Sequence, residues 1–219
     1  MTDKRTNDYD DAYGDDAYYF GSEPAPLLTR YAREIKPGGR VLDLGVGQGR
    51  NALPLAAAGM LVTGIDPSAT AIAHTRRLAT EAGLDIELWQ GGILGYEPSA
   101  PFDTVLCFGL LQILSRAEIA GLLYRLERWT VPGSIILVGA WHVDDPSRGG
   151  YRDAWLSAGR HSFRSPDGEY RTYLARREIR DLLCGWEILS HDETMGPAHR
   201  HGDGPEHRHG DVELAARRR

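Results

Sequence analysis

The stretch VLDLGVGQGRN, residues 41–51, contains the change from strand to helix that decides the fold. Its first residues are apolar and predict a buried strand. Gly45, Gly47 and Gly49 then alternate with other residues, and glycines without a Cβ atom let a ligand approach the backbone closely. The chain continues into a helix whose first N–H groups face these glycines. Such a loop at the carboxyl end of a parallel strand is typical of nucleotide-binding α/β proteins.

Strand and helix patterns alternate on the carboxyl side of this stretch. We predict strands at 40–45, 60–65, 84–89, 103–108 and 134–141, separated by helices at 48–58, 68–82 and 116–130. This alternation indicates a single α/β domain with a doubly wound, mostly parallel, Rossmann-like sheet. A helix near 175–183 and late strands at 186–190 and 212–216 predict an antiparallel hairpin at the sheet edge.

Three further segments differ in composition from this domain pattern. Residues 1–17 are polar and acidic and predict a disordered N-terminus, which leaves 18–219 as the folded domain. Residues 144–172 are rich in Gly, Arg, Asp and Ser and predict a lid-like loop insertion over the site. Residues 196–210 predict a His-rich loop.

Charge and composition limit the possible partners. The net charge of −6 argues against binding to nucleic acid. The sequence has no apolar run of about 18 residues and no apolar signal core, so we expect neither membrane insertion nor export, and a cytoplasmic location. Cys107 and Cys184 lie in apolar contexts and are predicted to be buried thiols without a disulfide. Whether the chain is a monomer or a homodimer is left open.

The glycine spacing discriminates between cofactor classes. A dinucleotide site requires G-x-G-x-x-G, whereas the glycines here are spaced G-x-G-x-G, and the lysine of a P-loop is missing. Asp43 precedes the first glycine by two residues and would repel a pyrophosphate. It suits a cationic ligand such as S-adenosylmethionine, whose ammonium group it could approach directly or through water.

Asp66 ends the second predicted strand, 23 residues after Asp43. At this edge of the sheet a carboxylate can accept hydrogen bonds from two ribose hydroxyls. The alternative is that Asp66 only caps the helix that starts at Ser68.

The motifs DLGVGQGRNALPLA and GIDPS resemble those of class I S-adenosylmethionine-dependent methyltransferases. YFGSEPAPLL, KPGGRVLDLG, the GRN after the loop and the HR…LAARR ending are similar to the tellurite-resistance (TehB-like) branch. This resemblance covers about residues 18–217 and implies a seven-stranded sheet with an antiparallel last strand. It also implies S-adenosylmethionine as the cofactor. The cofactor-binding residues that we predict are Asp43, Gly45, Gly47, Gly49, Arg50, Asn51, Asp66, Pro67, Gly92, Ile93 and Phe108.

One departure from the family pattern concerns the adenine. The family often has an acid after the third strand that accepts from the adenine amino group, and Gly92 stands there instead. The adenine is then expected to depend on backbone near Ile93, on Gln90 and on apolar packing.

The acceptor side depends on residues outside the glycine loop. The predicted substrate-binding residues are Tyr19, Phe20, Gln112, Trp141, Phe163 and Arg208, and the predicted catalytic residues are His199, Arg200 and Tyr19. In the resembling family the segment around Tyr19 folds over the donor methyl group; a simple hydrophobic clamp of the first helix is the alternative. A soft anionic acceptor needs no general base, whereas a hydroxyl or amine does.

The motif HRHGD occurs twice, at 199–203 and at 207–211. Three interpretations stay open. His199, His201, His207 and His209 are candidate ligands for a transition metal. Alternatively, His199 acts as a base or donor while Arg200 and Arg208 hold an anionic acceptor, or the loop is solvated and has no role.

The predicted function is methyl transfer from S-adenosylmethionine to a small, soft or anionic acceptor, such as a chalcogen species or a thiol. The alternatives are methylation of a natural-product small molecule and a non-catalytic module that binds the cofactor or a metal. Methylation of nucleic acid is disfavoured by the acidic balance.

Overall fold

The computed structural model describes Asp10, Tyr13 and residues 19–200 and 205–219. The strands are β1 (Arg40–Leu44), β2 (Leu61–Asp66), β3 (Glu87–Gln90), β4 (Phe102–Phe108), β5 (Thr130–Trp141), β6 (Leu156–Ser157), β7 (Ser162–Arg164), β8 (Tyr170–Thr172), β9 (Trp186–Met195) and β10 (Gly210–Arg218). The helices are α1 (Pro26–Tyr31), α2 (Ala52–Ala57), α3 (Ala69–Glu81), α4 (Arg116–Trp129), α5 (Arg148–Ala154) and α6 (Glu178–Leu182).

The main sheet of the described residues has seven strands in the order β3-β2-β1-β4-β5-β10-β9. β1 pairs in parallel with β2 and β4, and β5 continues the parallel half beside β4. The last strand, β10, lies between β5 and β9 and is antiparallel to both. The predicted doubly wound, mostly parallel sheet with an antiparallel last strand is confirmed.

Apolar side chains on both faces of the central strands explain why the sheet is buried. In β1, Leu42 and Leu44 point into one apolar cluster and Val41 points into the other. Such two-sided burial is expected of a parallel strand that helices cover on both faces. Because β1, β2, β4 and β5 are parallel, their carboxyl ends lie along one edge of the sheet, where most of the predicted site residues gather.

Two helices begin at residues whose side chains cap the first turn. The Ser68 hydroxyl accepts a hydrogen bond of 3.0 Å from the backbone of Ala71 at the start of α3. Ser115 and Glu118 form a reciprocal capping box at the start of α4. Each cap satisfies N–H groups that the first helical turn would otherwise leave unpaired.

Several predicted boundaries were wrong. The helix predicted at 48–58 spans only Ala52–Ala57, because Gly45, Gly47 and Gly49 have φ angles of 77°, 52° and 83° and keep the loop out of helical geometry. The segment 144–172 is not only a loop, since it contains α5 and the three-stranded sheet of β6, β7 and β8. Strand β5 starts at Thr130 rather than at residue 134.

The two thiols differ in exposure. Cys107 is buried in β4, and burial raises the pKa of its thiol to about 12. Cys184 is exposed, so its predicted burial was wrong; it follows the short helix α6 on a turn rather than on a core face. Both are free thiols. None of the helices in the described part of the chain has the length and apolar character needed to cross a membrane.

Most of the predicted disordered terminus, residues 1–17, lies outside the described residues. Asp10 and Tyr13 are described, and Tyr13 is buried. Asp10 accepts a 3.1 Å hydrogen bond from the backbone of Thr70 at the start of α3. These two residues therefore contact the domain beside the glycine loop.

Candidate active site

A cavity of about 1170 Å³ opens at the carboxyl edge of the parallel strands. The glycine loop, the segment after β3, the end of β5, the segment 144–172 and the connection between β9 and β10 form its wall. The predicted site residues that line it are Tyr19, Phe20, Gly45, Gly47, Arg50, Asn51, Asp66, Pro67, Gly92, Ile93, Phe108, Gln112, Trp141 and Arg208. The predicted site residues that do not line it are Asp43, Gly49, Phe163, His199 and Arg200.

The three glycines of the loop have different local roles. Gly45 and Gly47 face the cavity. A Cβ atom on Gly49 would instead lie 2.9 Å from the Thr75 side chain and 3.0 Å from Leu53. The Thr75 hydroxyl also donates a 2.8 Å hydrogen bond to the Gly47 carbonyl. Gly49 therefore lets the loop pack against α2 and α3 rather than against a ligand.

Asp66 braces the glycine loop and also faces the cavity. Its Oδ2 accepts from the Gly47 N–H at 2.9 Å, and its Oδ1 accepts from the Ser68 N–H at 2.9 Å. The cap of α3 itself is the Ser68 side chain, so Asp66 has carboxylate lone pairs left on the cavity side. Burial raises the pKa of Asp66 to about 6, although the hydrogen bonds from Ser68 and Gly47 favour the ionised form.

Asp43 is a buried acid directly behind the loop. Its Oδ2 has no hydrogen-bond partner among the described residues, and the residue is only 2% exposed. Burial raises the pKa of Asp43 to about 7; Arg50 opposes this shift, and Asp66 adds to it. A cation that binds at the loop would lower this raised pKa, because it stabilises the charged form of the acid.

The side chains that follow the glycines hold the N-terminal aromatic segment in place. Gln48 Oε1 accepts from Tyr19 N at 3.0 Å, Asn51 Oδ1 accepts from Ala25 N at 2.9 Å, and the Arg50 guanidinium donates to Phe20 O at 2.6 Å. Phe20 packs edge-on against Tyr19 and Tyr13, with ring centroids 4.9 and 6.2 Å away. From the sequence, Arg50 and Asn51 were predicted to bind the cofactor; their hydrogen bonds to the backbone of the N-terminal segment were not predicted.

The part of the cavity wall that follows β3 consists of apolar side chains and glycine backbone. Gly92 and Ile93 line it together with Trp89. The Trp89 ring lies so close to the backbone that a Cβ atom on Gly91 would be 2.3 Å from it. Gln90 is exposed and is not part of the wall. A planar base at this end would contact Trp89, Ile93 and backbone, without a carboxylate at Gly92.

The opposite end of the cavity contains aromatic and cationic side chains. Tyr151 and Arg171 from the segment 144–172 line it, as does Arg208 from the β9–β10 connection. Gln112 faces the cavity, and its buried Oε1 has no hydrogen-bond partner in the described part of the chain. Phe163 points elsewhere: it is buried against Tyr173, with ring centroids 6.4 Å apart.

His209 and Asp145 join the β9–β10 connection to the end of β5. Asp145 Oδ2 accepts from His209 Nδ1 at 2.9 Å and from the Gly210 N–H at 2.9 Å. The imidazole of His209 stacks on Trp141 with ring centroids 4.2 Å apart. Burial alone would raise the pKa of Asp145, but the hydrogen bonds from His209, Ser147 and Gly210 outweigh it and hold the pKa below its usual range.

The two copies of the HRHGD motif therefore differ in their position relative to the cavity. His207, Arg208 and His209 of the second copy line the cavity. In the first copy, Arg200 is exposed and His199 lies behind His207, outside the wall. His201, the remaining predicted metal ligand, lies outside the described residues.

Comparisons with known proteins show what this fold and loop are similar to. Residues 41–133 match the family model described as "Methyltransferase domain". A relative from Haemophilus influenzae, named probable S-adenosyl-L-methionine-dependent methyltransferase TehB, is 26% identical and is matched over 74% of this chain and 50% of its own length. The solved structure of TehB from Haemophilus influenzae has a TM-score of 0.73 at 22% identity, covering 96% of this chain and 67% of that one. These similarities support a class I S-adenosylmethionine-dependent methyltransferase of the TehB-like branch.

Two other proteins are similar over comparable lengths. The ubiquinone biosynthesis O-methyltransferase of Methylocella silvestris is 28% identical, over 75% of this chain and 64% of that protein. A structure solved for the "Conversion of a Disulfide Bond into a Thioacetal Group during Echinomycin Biosynthesis" has a TM-score of 0.70 at 25% identity, covering 98% of this chain and 92% of that one. The chain spans about half to two thirds of the length of the curated relatives named above.

The residues of this methyltransferase fold fit S-adenosylmethionine, the cofactor of the family. Asp43 lies behind the loop rather than in the cavity wall, and its buried oxygen without a described partner places negative charge there, which suits a ligand that carries an ammonium group at the loop. Asp66 offers carboxylate lone pairs for ribose hydroxyls, and the Trp89 face suits a planar base. When bound, the cofactor supplies an electrophilic methyl group on a sulfonium.

Proposed function

We propose that this chain transfers a methyl group from S-adenosylmethionine to a small, soft or anionic acceptor, such as a thiol or a reduced chalcogen species. The observation that carries the proposal is a single continuous cavity with a donor end and an acceptor end. The donor end has the glycine loop and Asp66; the acceptor end has Arg171, Arg208 and aromatic walls. Cationic side chains at that end support an anionic acceptor.

The chain's own residues can align the two reactants and exclude water. In-line displacement at a sulfonium needs the nucleophile held close to the methyl group on the side opposite to the sulfur, which positioning residues achieve by lowering the entropic cost. Tyr19 and Phe20, tied to the loop by Gln48 and Arg50, would cover this point. We further propose that the segment 144–172 covers the acceptor, since Tyr151, Glu169 and Arg171 line the cavity from that side.

A thiolate or selenide is already a nucleophile and needs no proton acceptor at the moment of transfer. This agrees with the commitment of Glu118, an acid of the cavity wall, to the capping box of α4. The sulfur chemistry named for the echinomycin structure supports the same acceptor class.

A larger acceptor is the second candidate, and the size of the cavity favours it. Small-molecule sites are usually about 300–1,000 Å³. The cavity here has about 1170 Å³, which leaves room for an acceptor scaffold beside the donor.

The donor half is tested by calorimetric titration of S-adenosylmethionine and S-adenosylhomocysteine. We expect saturable binding to the wild type and loss of about 10-fold or more in affinity for Asp66→Ala, because the variant loses a bracing and ligand-facing carboxylate. Wild-type protein that is folded but binds neither compound would contradict the proposal.

The acceptor half is tested with small thiols, selenite and tellurite under reducing conditions, by headspace analysis of methylated products. The duplicated motif supplies a matched pair of variants: Arg208 lines the cavity and Arg200 does not. We expect Arg208→Ala to lower kcat/KM for the acceptor with an unchanged Kd for the donor, and Arg200→Ala to leave both unchanged. If none of these acceptors is methylated while donor binding is intact, the soft-acceptor proposal fails and a thiol-free natural-product panel becomes the next test.

A further inference from the structure

The β9–β10 connection gathers histidines at one point beside the cavity. His199, His207 and His209 each offer a ring nitrogen, and these nitrogens lie within 4.8 Å of one another. The ring centroids are 4.7 Å apart for His199 and His207, 4.8 Å for His207 and His209, and 5.2 Å for His199 and His209.

The backbone of the connection explains the cluster. The His199 N–H donates to the His207 carbonyl at 2.9 Å, and the His207 N–H donates to the His199 carbonyl at 2.9 Å. The two residues are thus a hydrogen-bonded antiparallel pair, whose side chains project to the same face. His209 follows His207 by two residues and returns to that face, as expected for extended chain. The eight-residue spacing of the repeated motif places the first histidines of the two copies opposite each other.

Each imidazole has its Nδ1 next to an oxygen acceptor. Nδ1 of His199 lies 3.0 Å from the Pro197 carbonyl, and Nδ1 of His207 lies 2.9 Å from the Pro205 carbonyl. Nδ1 of His209 lies 2.9 Å from the Asp145 carboxylate. Because a carbonyl or carboxylate only accepts, these contacts favour the tautomer with the proton on Nδ1 and the lone pair on Nε2. Metal-binding histidines use this arrangement, in which a carboxylate or carbonyl orients the ligand ring.

We propose that His199, His207 and His209 bind one divalent transition-metal ion through Nε2, with Asp145 orienting His209 from behind. Three neutral imidazoles suit Zn²⁺, Ni²⁺ or Cu²⁺ rather than Mg²⁺ or Ca²⁺. With Zn–N distances of about 2.0–2.1 Å, tetrahedral ligand atoms lie about 3.4 Å apart. The ring nitrogens, which lie within 4.8 Å of one another, must approach by up to about 1.4 Å to reach that separation, through rotation of side chains that, for His199 and His207, are only half-buried.

Three protein ligands leave one tetrahedral position open, as in catalytic rather than structural zinc sites. His207 and His209 line the cavity, so the open position faces the acceptor end. Metal coordination of a thiolate or anionic acceptor at that position rests on the proposed function; metal binding by the histidines does not.

The experiment uses the full chain without an affinity tag, stripped with a chelator and titrated with Zn²⁺ by calorimetry. Co²⁺ is added to a second sample, and its visible absorption reports the coordination number. We expect one equivalent of Zn²⁺ and an intense, tetrahedral-type Co²⁺ spectrum. His207→Ala and His209→Ala should abolish both, and Asp145→Asn should weaken Zn²⁺ binding by about 10- to 100-fold.

The controls separate loss of metal from loss of fold. His74, on α3, lies outside the cluster, and His74→Ala should bind Zn²⁺ like the wild type. S-adenosylmethionine is titrated into every variant, so that a failed metal site with intact donor binding leaves the proposed function untouched. No saturable Zn²⁺ binding by the wild type, or equal binding by His207→Ala, would overturn the metal site and leave Asp145 and His209 as a metal-free pair.

Discussion

Asp43→Asn tests two effects of the buried acid behind the glycine loop: it lowers the stability of the fold, and it favours binding of a cationic ligand. Asp43 is 2% exposed, and its pKa is raised from 3.8 to about 7, first by burial and then by Asp66, with Arg50 opposing. The folded state therefore holds this proton over a pH range in which the unfolded chain has released it. By linkage, the contribution of Asp43 to stability is fully present below about pH 3.8 and is lost as the pH rises through about 7.

The magnitude follows from the size of the shift. At about 1.4 kcal/mol per pKa unit, a rise from 3.8 to about 7 corresponds to a penalty of about 4 kcal/mol for the wild type above pH 7. Asparagine avoids this penalty but leaves a buried amide without a full set of partners, which costs about 1–3 kcal/mol. We expect Asp43→Asn to be more stable than the wild type by about 1–3 kcal/mol in alkaline solution.

The same substitution should impair the donor site. Asp43 lies behind the loop and not in the cavity wall, so what is lost is an attraction across the loop of about 1–2 kcal/mol, and the affinity for S-adenosylmethionine should fall by about 5- to 30-fold. Urea unfolding between about pH 5 and about pH 8.5 measures the stability, and calorimetry measures the affinity. The variant's gain in unfolding free energy should grow by about 3 kcal/mol across this range.

Asp103→Asn is the control of opposite sign. Burial alone would raise the pKa of Asp103, but Lys36 and the Arg40 backbone hold it below its usual range, so its stabilisation is lost as the pH falls. This variant should be less stable than the wild type at neutral pH and should approach it in acid. A difference between Asp43→Asn and the wild type that stays constant with pH would refute the reasoning about Asp43.

Other contacts give further expected outcomes. Gly47→Ala forces an alanine to φ +52° and should lower the unfolding free energy by about 1–2 kcal/mol, measured by urea denaturation. Asn51→Ala removes the acceptor of the buried Ala25 N–H and should cost about 1–3 kcal/mol, with earlier cleavage before α1 in limited proteolysis. Arg116→Ala breaks the 2.7 Å ion pair with Glu178 and contacts to carbonyls of the 160–173 segment, so hydrogen exchange should quicken in that segment while donor affinity is retained.

The glycine loop and the elements around it could be predicted from the sequence because neighbouring residues determine them. Where the spacing of apolar residues changes from that of a strand to that of a helix, with glycines at the junction, the sequence predicts a strand, a turn and a helix. The acid that ends the next strand must then lie at the same edge, since parallel neighbours align their carboxyl ends. Asp66 and Gly47, 19 residues apart, meet for that reason.

The acceptor half could not be predicted in the same way, because its contacts depend on strand register. Asp145 and His209 are 64 residues apart and meet only because Asp211 of β10 pairs with Trp141 of β5. Register across a long connection has no local signature, and a shift of one residue would turn every side chain to the other face. Phe163 was predicted to face the pocket, and this was wrong because its strand pairing could not be predicted from the sequence. In the structure, the pairing of β7 with β8 directs Phe163 towards Tyr173.

The position of β10 between β5 and β9 has a consequence for the divergence of this protein and for its engineering. The connection between β9 and β10, described at 196–200 and 205–209, lies outside the paired register of the two strands, so we expect that its length or composition can change without altering the pairing of the strands. The residues predicted to bind the cofactor belong to β1, β2 and β4 and to the loops after β1, β2 and β3, which this connection does not interrupt. Grafting this connection from another member of the family should thus change which compounds are methylated while the methyl donor stays the same.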